Sequence, residues 1–128
     1  MTQKQKNSRF KGFLLQKYKK TANGVIYFKI KPKYLKKFKV TIAEATSLVN
    51  ELGSFEGYPI WLLFAQYEDG VVACRLRSKG PAIDKLANKY GGGGHKNASG
   101  AKIGTWKRTQ LLIDDADQLA KAYKEGLL

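Results

Sequence analysis

Residues Ile60 to Gln66 read Ile-Trp-Leu-Leu-Phe-Ala-Gln, an apolar run with little alternation, and Val71 to Arg77 follow it across Glu68-Asp69-Gly70. A strand whose successive side chains are apolar has no solvent face and belongs inside a sheet. Asp-Gly between two such runs is a hairpin signal. The chain is therefore expected to fold around a central hairpin. In its second strand, period-two alternation sends Arg75 and Arg77 to one face and Cys74 and Leu76 to the other, so both guanidinium groups gather at the strand's carboxyl end. Pro81 suits a helix start, and Ile83, Leu86, Ala87 and Tyr90 recur at helical intervals up to the glycines that begin at Gly91.

The flanks are expected to add to this unit. Met1 to Arg9 is polar, lysine-rich and aperiodic, so residues 1–10 read as a basic tail or linker remnant ahead of one domain over 11–128. Phe13 to Tyr18 and Val25 to Ile30, with Asn23-Gly24 between them, read as a second hairpin. Thr41-Ile42-Ala43-Glu44 fits a capping box, and Ala45, Leu48, Val49 and Leu52 continue it as an amphipathic helix that Gly53 stops. Ala101 to Ile103 and Leu111 to Ile113 read as short strands, with Trp106 between them as a packing residue. Asp114, Asp115 and Asp117 open a terminal helix, where carboxylates suit the positive end. The expected fold class is α/β: a single mixed β-sheet with helices packed mainly on one covered face, and the glycine run at a sheet edge or helix start.

Charge narrows the partners. The 24 Lys and Arg against 10 Asp and Glu give a formal charge of +14, which favours polyanions without naming one. Lysines 29, 31, 33, 36, 37 and 39 interleave with Ile30, Tyr34, Leu35 and Phe38, a composition used for single-stranded nucleic acid as well as for plain solvated faces. Cys74 is the single cysteine, which rules out an internal disulfide and a cysteine zinc cluster and suits a reducing cytoplasm. The run from Ile60 to Ala65 is too short to cross a bilayer, and Met1-Thr2-Gln3-Lys4 begins no signal peptide, so a cytoplasmic protein without a membrane partner is expected.

The stretch Gly91-Gly92-Gly93-Gly94-His95-Lys96-Asn97-Ala98-Ser99-Gly100 holds the chain's lone histidine. Ordering four glycines costs about 4–8 kcal/mol of backbone entropy, so an ordered loop here calls for a compensating role. Free amides in such a turn form a concave nest for phosphate oxygens. A phosphate at this place would find Arg77 as a bidentate donor, Ser78 as a hydroxyl donor, the amides of Gly92, Gly93 and Gly94, and His95. Metal-assisted phosphodiester hydrolysis needs several carboxylates and histidines around activated water, and this chain has one histidine and no such cluster. Binding rather than catalysis is the expectation, with no metal held by these residues.

The glycine run with His95 and Ala98-Ser99-Gly100, together with Leu76-Arg77-Ser78-Lys79-Gly80, Thr46 to Asn50 and Phe55-Glu56-Gly57, resembles the carboxyl-terminal DHH-associated domain of the DHH phosphoesterase superfamily. The likeness runs from about Lys11 to Ile103 and is greatest with the nanoRNase and pAp phosphatase branch. Ser99 stands where that family commonly has alanine. The resemblance implies that Arg77, Ser78, the Gly92 to Gly94 backbone and His95 contact the substrate, with Lys96 and Asn97 as additions. It further implies short RNA, dinucleotides or pAp as ligands, and an amino-terminal DHH domain, absent from this sequence, that carries manganese and the catalysis. A cyclic-dinucleotide phosphodiesterase or RecJ-like exonuclease domain is the alternative within the superfamily, and a free-standing basic RNA-binding module the alternative outside it.

Overall fold

The computed structural model describes residues 1–128. Their elements are α1 (Gln3–Lys17), β1 (Lys19–Lys20), β2 (Val25–Ile30), α2 (Pro32–Phe38), α3 (Ile42–Thr46), β3 (Ile60–Gln66), β4 (Val72–Ser78), α4 (Asp84–Lys89), β5 (Gly93–His95), β6 (Ala98–Gly104) and α5 (Thr109–Lys124). Helix α3 continues as a 3-10 segment over Ser47–Ser54, and another 3-10 turn, Trp106–Arg108, leads into α5. The strands form one mixed sheet in the order β1-β2-β3-β4-β6-β5. β2 and β3 run parallel, and each other neighbouring pair is antiparallel.

β3 lies inside the sheet and is buried at every position but Gln66, as its lack of alternation requires. β4 alternates strictly, with Val72, Cys74, Leu76 and Ser78 buried and Ala73, Arg75 and Arg77 half-buried. Val72, Cys74 and Leu76 belong to a cluster that joins Leu62, Phe64 and Ile103 to Leu112, Ile113 and Ala116 of α5. On the opposite face Ile26, Phe28, Trp61 and Leu63 pack under Phe10 and Leu14 of α1 and under Ala45, Val49 and Leu52 of the β2–β3 crossover. The apolar part of that second layer ends at β3, and past it the end of α3 reaches only far enough for the Thr46 carbonyl to meet Arg75. Beyond it the same face of β4, β6 and β5 carries Arg75, Arg77, Ala98, Gly100, Lys102 and His95, all exposed or half-buried.

The single mixed sheet, the central hairpin and the edge position of the glycine run agree with the sequence. The tail expected over residues 1–10 is instead the first half of α1, capped by a reciprocal pair between Thr2 and Gln5. Phe13 to Tyr18 is no strand either. Phe10 and Leu14, four residues apart, are the buried pair of that helix, and this helical spacing overrides the strand preference of the aromatics. The hairpin at Asn23-Gly24 exists, but Lys19–Lys20 supplies its first strand. Leu111 to Ile113 lies in α5, which begins at Thr109, so the three aspartates sit in its middle and do not open it. Two of them bond to remote residues, while Asp114 accepts from Gln110 one turn away in the same helix. Asp117 accepts from the Asn23 amide at 2.9 Å and its Nδ2 at 2.7 Å, while Asp115 accepts from Lys89 Nζ at 2.8 Å and the Tyr90 hydroxyl at 2.6 Å. Burial and the bond to Asp115 push the Tyr90 phenol up to about 12.

Candidate nucleotide-binding face

The bare half-face is assembled by strand register. Ala98 of β6 pairs with Arg77 of β4 on one side and with His95 of β5 on the other. Directly opposed residues in antiparallel strands project to the same face, so Arg77 and His95 flank Ala98 about 10 Å apart, two strand spacings. The next row is Arg75, Gly100 and Gly93, and the one after it pairs Ala73 with Lys102. Ala98 and Gly100 make a low floor between the Arg75 and Arg77 side chains on one side and His95 on the other.

Arg77 is fixed before any ligand arrives. Its Nη1 donates to the carbonyls of Leu76 at 2.9 Å and Ser99 at 3.0 Å. A guanidinium has five N–H donors, so Nε and Nη2 remain as one free edge, the geometry of side-on bidentate phosphate binding. Burial, then the nearby Arg75, pull the Arg77 pKa below its ordinary value, as happens to a cation without a counter-charge. Arg75 is held by Thr46 at the end of α3, whose carbonyl accepts from its Nη1 at 3.2 Å.

The glycines divide between two tasks. Tyr90 ends α4, Gly91 takes φ +79°, and the amides of Gly91 and Gly92 donate to the carbonyls of Asn88 and Ala87. This is a Schellman cap. The Gly92 amide is therefore spent, which removes it from the expected phosphate nest. A Cβ there would also collide with the Gly100 carbonyl oxygen and stand 2.6 Å from the Ala101 Cα. Gly93 and Gly94 belong to β5, the outer strand, where alternate amides point away from β6 and have no ladder partner.

Ser78 also leaves the expected cluster. It is buried with Cys74 and Leu76 on the face opposite Arg77, where its hydroxyl donates to the Pro81 carbonyl at 2.6 Å and accepts from Asn97 Nδ2 at 2.9 Å. The Lys96-Asn97 turn is fastened at its backbone as well. Ile83 N donates to the Lys96 carbonyl at 2.7 Å and Ser78 N to the Asn97 carbonyl at 3.1 Å. Ser99 Oγ adds a bond to the His95 carbonyl at 2.7 Å. The register thus brings Arg77 and His95 together beside the Gly93-Gly94 edge and leaves the Lys96 side chain exposed at the turn, while Ser78, Asn97 and Gly92 are engaged in bonds within the fold. Ala98 and Lys102 line the same face, and the alternation Ala101-Lys102-Ile103 is the sequence signal that puts Lys102 beside Arg75 and Arg77.

A family model described as the DHHA1 domain matches residues 22–122. The chain belongs to the DHHA1 domain family. Among curated proteins, the bifunctional oligoribonuclease and PAP phosphatase NrnA of Bacillus subtilis (strain 168) is 41% identical over 113 residues, 88% of this chain and 36% of that protein. The protein of the same name from Mycoplasma genitalium is 37% identical over 107 residues, 84% of this chain and 33% of that one. The chain thus spans roughly a third of the length of these relatives. In fold it is similar to an exopolyphosphatase-related protein from Bacteroides fragilis, with TM-score 0.80 and 22% identity over 98% of this chain and 37% of that one. For this DHHA1 domain, similar to domains of oligoribonuclease and pAp phosphatase proteins, the mixed sheet is the expected architecture.

The polar groups on the bare face are two guanidiniums, an ammonium, one imidazole and backbone amides. Manganese is held mainly by carboxylate oxygens, and with no carboxylate in these rows a single imidazole does not make a site for the metal that the DHH superfamily implies.

Proposed function

We propose that this DHHA1 domain holds the phosphate end of a nucleotide or very short RNA and presents it to a manganese-bearing DHH domain elsewhere in a longer protein. The observation that carries this is the convergence of Arg77 and His95 on Ala98. Around them Arg75 and Lys102 raise the positive potential, and no carboxylate lies in these rows. The Arg77 edge takes two phosphate oxygens, His95 donates from the outer strand, and the outward amides beside Gly93 and Gly94 meet a third oxygen. Lys96 supplies further charge at the turn. Each charge-assisted bond contributes about 1.5–3 kcal/mol, enough for discrete affinity.

The relatives named above support short RNA and pAp as the ligand class for the whole protein. The catalytic water and its metal belong to the other domain, and the residues of this face bind and orient. The chain alone is expected to bind without turning over substrate.

Titration calorimetry with pAp and a diribonucleotide tests this. Saturable binding to the chain, lowered at least tenfold by Arg77→Ala and by His95→Ala, is the expected result. Equal affinity of both variants and the parent chain would discard the pocket and leave a nonspecific polyanion binder, whose affinity grows with strand length.

A further inference from the structure

A second cationic surface lies at the far edge of the sheet. β1 pairs only with Ile26 and Tyr27, so the outer edge of β2 from Phe28 to Ile30 has no strand beside it. Along that open edge runs a groove of about 540 Å³. Lys17, Lys19, Lys29 and Lys31 line it, and Phe13, Tyr27, Phe28 and Tyr34 supply its aromatic wall.

The lysines are short of counter-charges. The two ion pairs of the molecule, Lys11–Glu51 and Lys89–Asp115, use none of them. Burial lowers the Lys29 pKa, and the charges acting on it are Lys31 and Lys19. Asp114 acts on Tyr27 at the inner wall. Lys31 is held with its Nζ 4.1 Å from the centre of the Trp106 ring. The rings are anchored too: Phe13 and Tyr34 meet at 5.0 Å, and Phe13 and Phe28 at 6.0 Å.

We propose that this groove binds the backbone of single-stranded RNA, as a second contact separate from the Arg77 and His95 face. Clustered cations take the phosphates, unpaired β2 amides add hydrogen bonds, and aromatic walls accept bases without regard to sequence, the combination that single-strand binders use. An acidic peptide would satisfy the charges and the open edge but leave the aromatic wall without a specific partner. The groove and His95 stand at opposite ends of the sheet. From β2 to β5 is four strand spacings, about 19 Å, so a dinucleotide held at the face does not reach the groove and a longer strand does.

The test compares a fluorescent 12-nucleotide oligoadenylate, read by anisotropy over a salt series, with pAp, read by calorimetry. In the triple variant Lys17→Gln, Lys19→Gln, Lys29→Gln, the slope of log affinity against log salt for the 12-mer is expected to flatten by about 2, at about 0.7 per phosphate released. Affinity for pAp stays within twofold. A control triple on other surfaces, Lys4→Gln, Lys85→Gln, Lys121→Gln, leaves the slope unchanged, and thermal melts confirm that both triples fold. Equal flattening in the two triples would reduce the effect to net charge and overturn the proposal, as would no flattening in the first. Displacement of the 12-mer by polyglutamate at matched charge would reassign the groove to acidic peptides.

Discussion

Arg77 and His95 face the same residue, Ala98, from the two strands that flank β6. The distance between them is set by sheet geometry, and the space between them is set by the size of one methyl group. Ala98→Leu is therefore expected to lower pAp affinity at least tenfold by filling the floor. Because the position faces solvent, its effect on stability stays within about 0.5 kcal/mol. Calorimetry and a urea melt of the same variant check both halves, and unchanged affinity would mean that the ligand lies elsewhere.

Gly91 and Gly92 separate conformation from close approach. Gly91→Ala meets no atom within 4 Å but must hold φ +79°, costing about 1–2 kcal/mol. Gly92→Ala forces a Cβ into the β6 backbone, and overpacking against main chain that cannot turn aside costs about 3 kcal/mol. Urea unfolding should therefore rank Gly92→Ala as the more damaging. The opposite order would contradict the packing of β5 on β6.

Ser78→Ala leaves the carbonyl of buried Pro81 without its donor and releases the exposed Asn97 amide to water, so a loss of about 1–2 kcal/mol is expected. Since the hydroxyl lies on the face opposite Arg77, pAp affinity should change less than threefold. A fall as deep as that of Arg77→Ala would make Ser78 a ligand contact.

Asp117 supplies the pH dependence. Burial works against its charged form, but hydrogen bonds from Thr21 and Asn23, with Lys124 nearby, hold its carboxyl below the usual range. A depressed folded-state pKa contributes stability that is complete above the unfolded value near about 4 and disappears as pH falls through the folded value. Asp117→Asn should thus cost about 1 kcal/mol at pH 7, through a misdirected amide at Asn23. The gap between the two proteins should close as the medium is acidified below about pH 4. Melting temperatures from pH 7 to pH 3 would show it, and a constant gap would exclude the carboxylate as its source.

How much was legible varied with how local the cause was. The β3–β4 hairpin declared itself through an apolar run, an Asp-Gly turn and strict alternation, all within 18 residues. The Thr41–Glu44 capping box was equally local and is present. Residues 1–17 misled because their helix has only Phe10 and Leu14 fully buried, so a polar composition hid a two-residue stripe. Helix α2 was hidden among lysines, though Pro32 at its first position was a signal. The aspartates of α5 resembled a helix start because their partners, Asn23, Lys89 and Tyr90, are remote in sequence. On the candidate face, the shared side of Arg75 and Arg77 was readable from the alternation of β4, and the neighbouring place of His95 follows from the strand order, which no local pattern announces. The bonds that occupy the Gly92 amide and the Ser78 hydroxyl depend on a helix cap and on the sidedness of β4.

The Lys96-Asn97 turn is bolted by two backbone bonds and one side-chain bond to the segment that leaves β4. Its two ends therefore travel as one rigid jaw, with arginine and imidazole already spaced before a nucleotide arrives. Little ordering entropy is left to lose on capture. On the function proposed above, presenting a held phosphate to another domain would move this domain as a unit, because the loop is tied to the body at both of its residues.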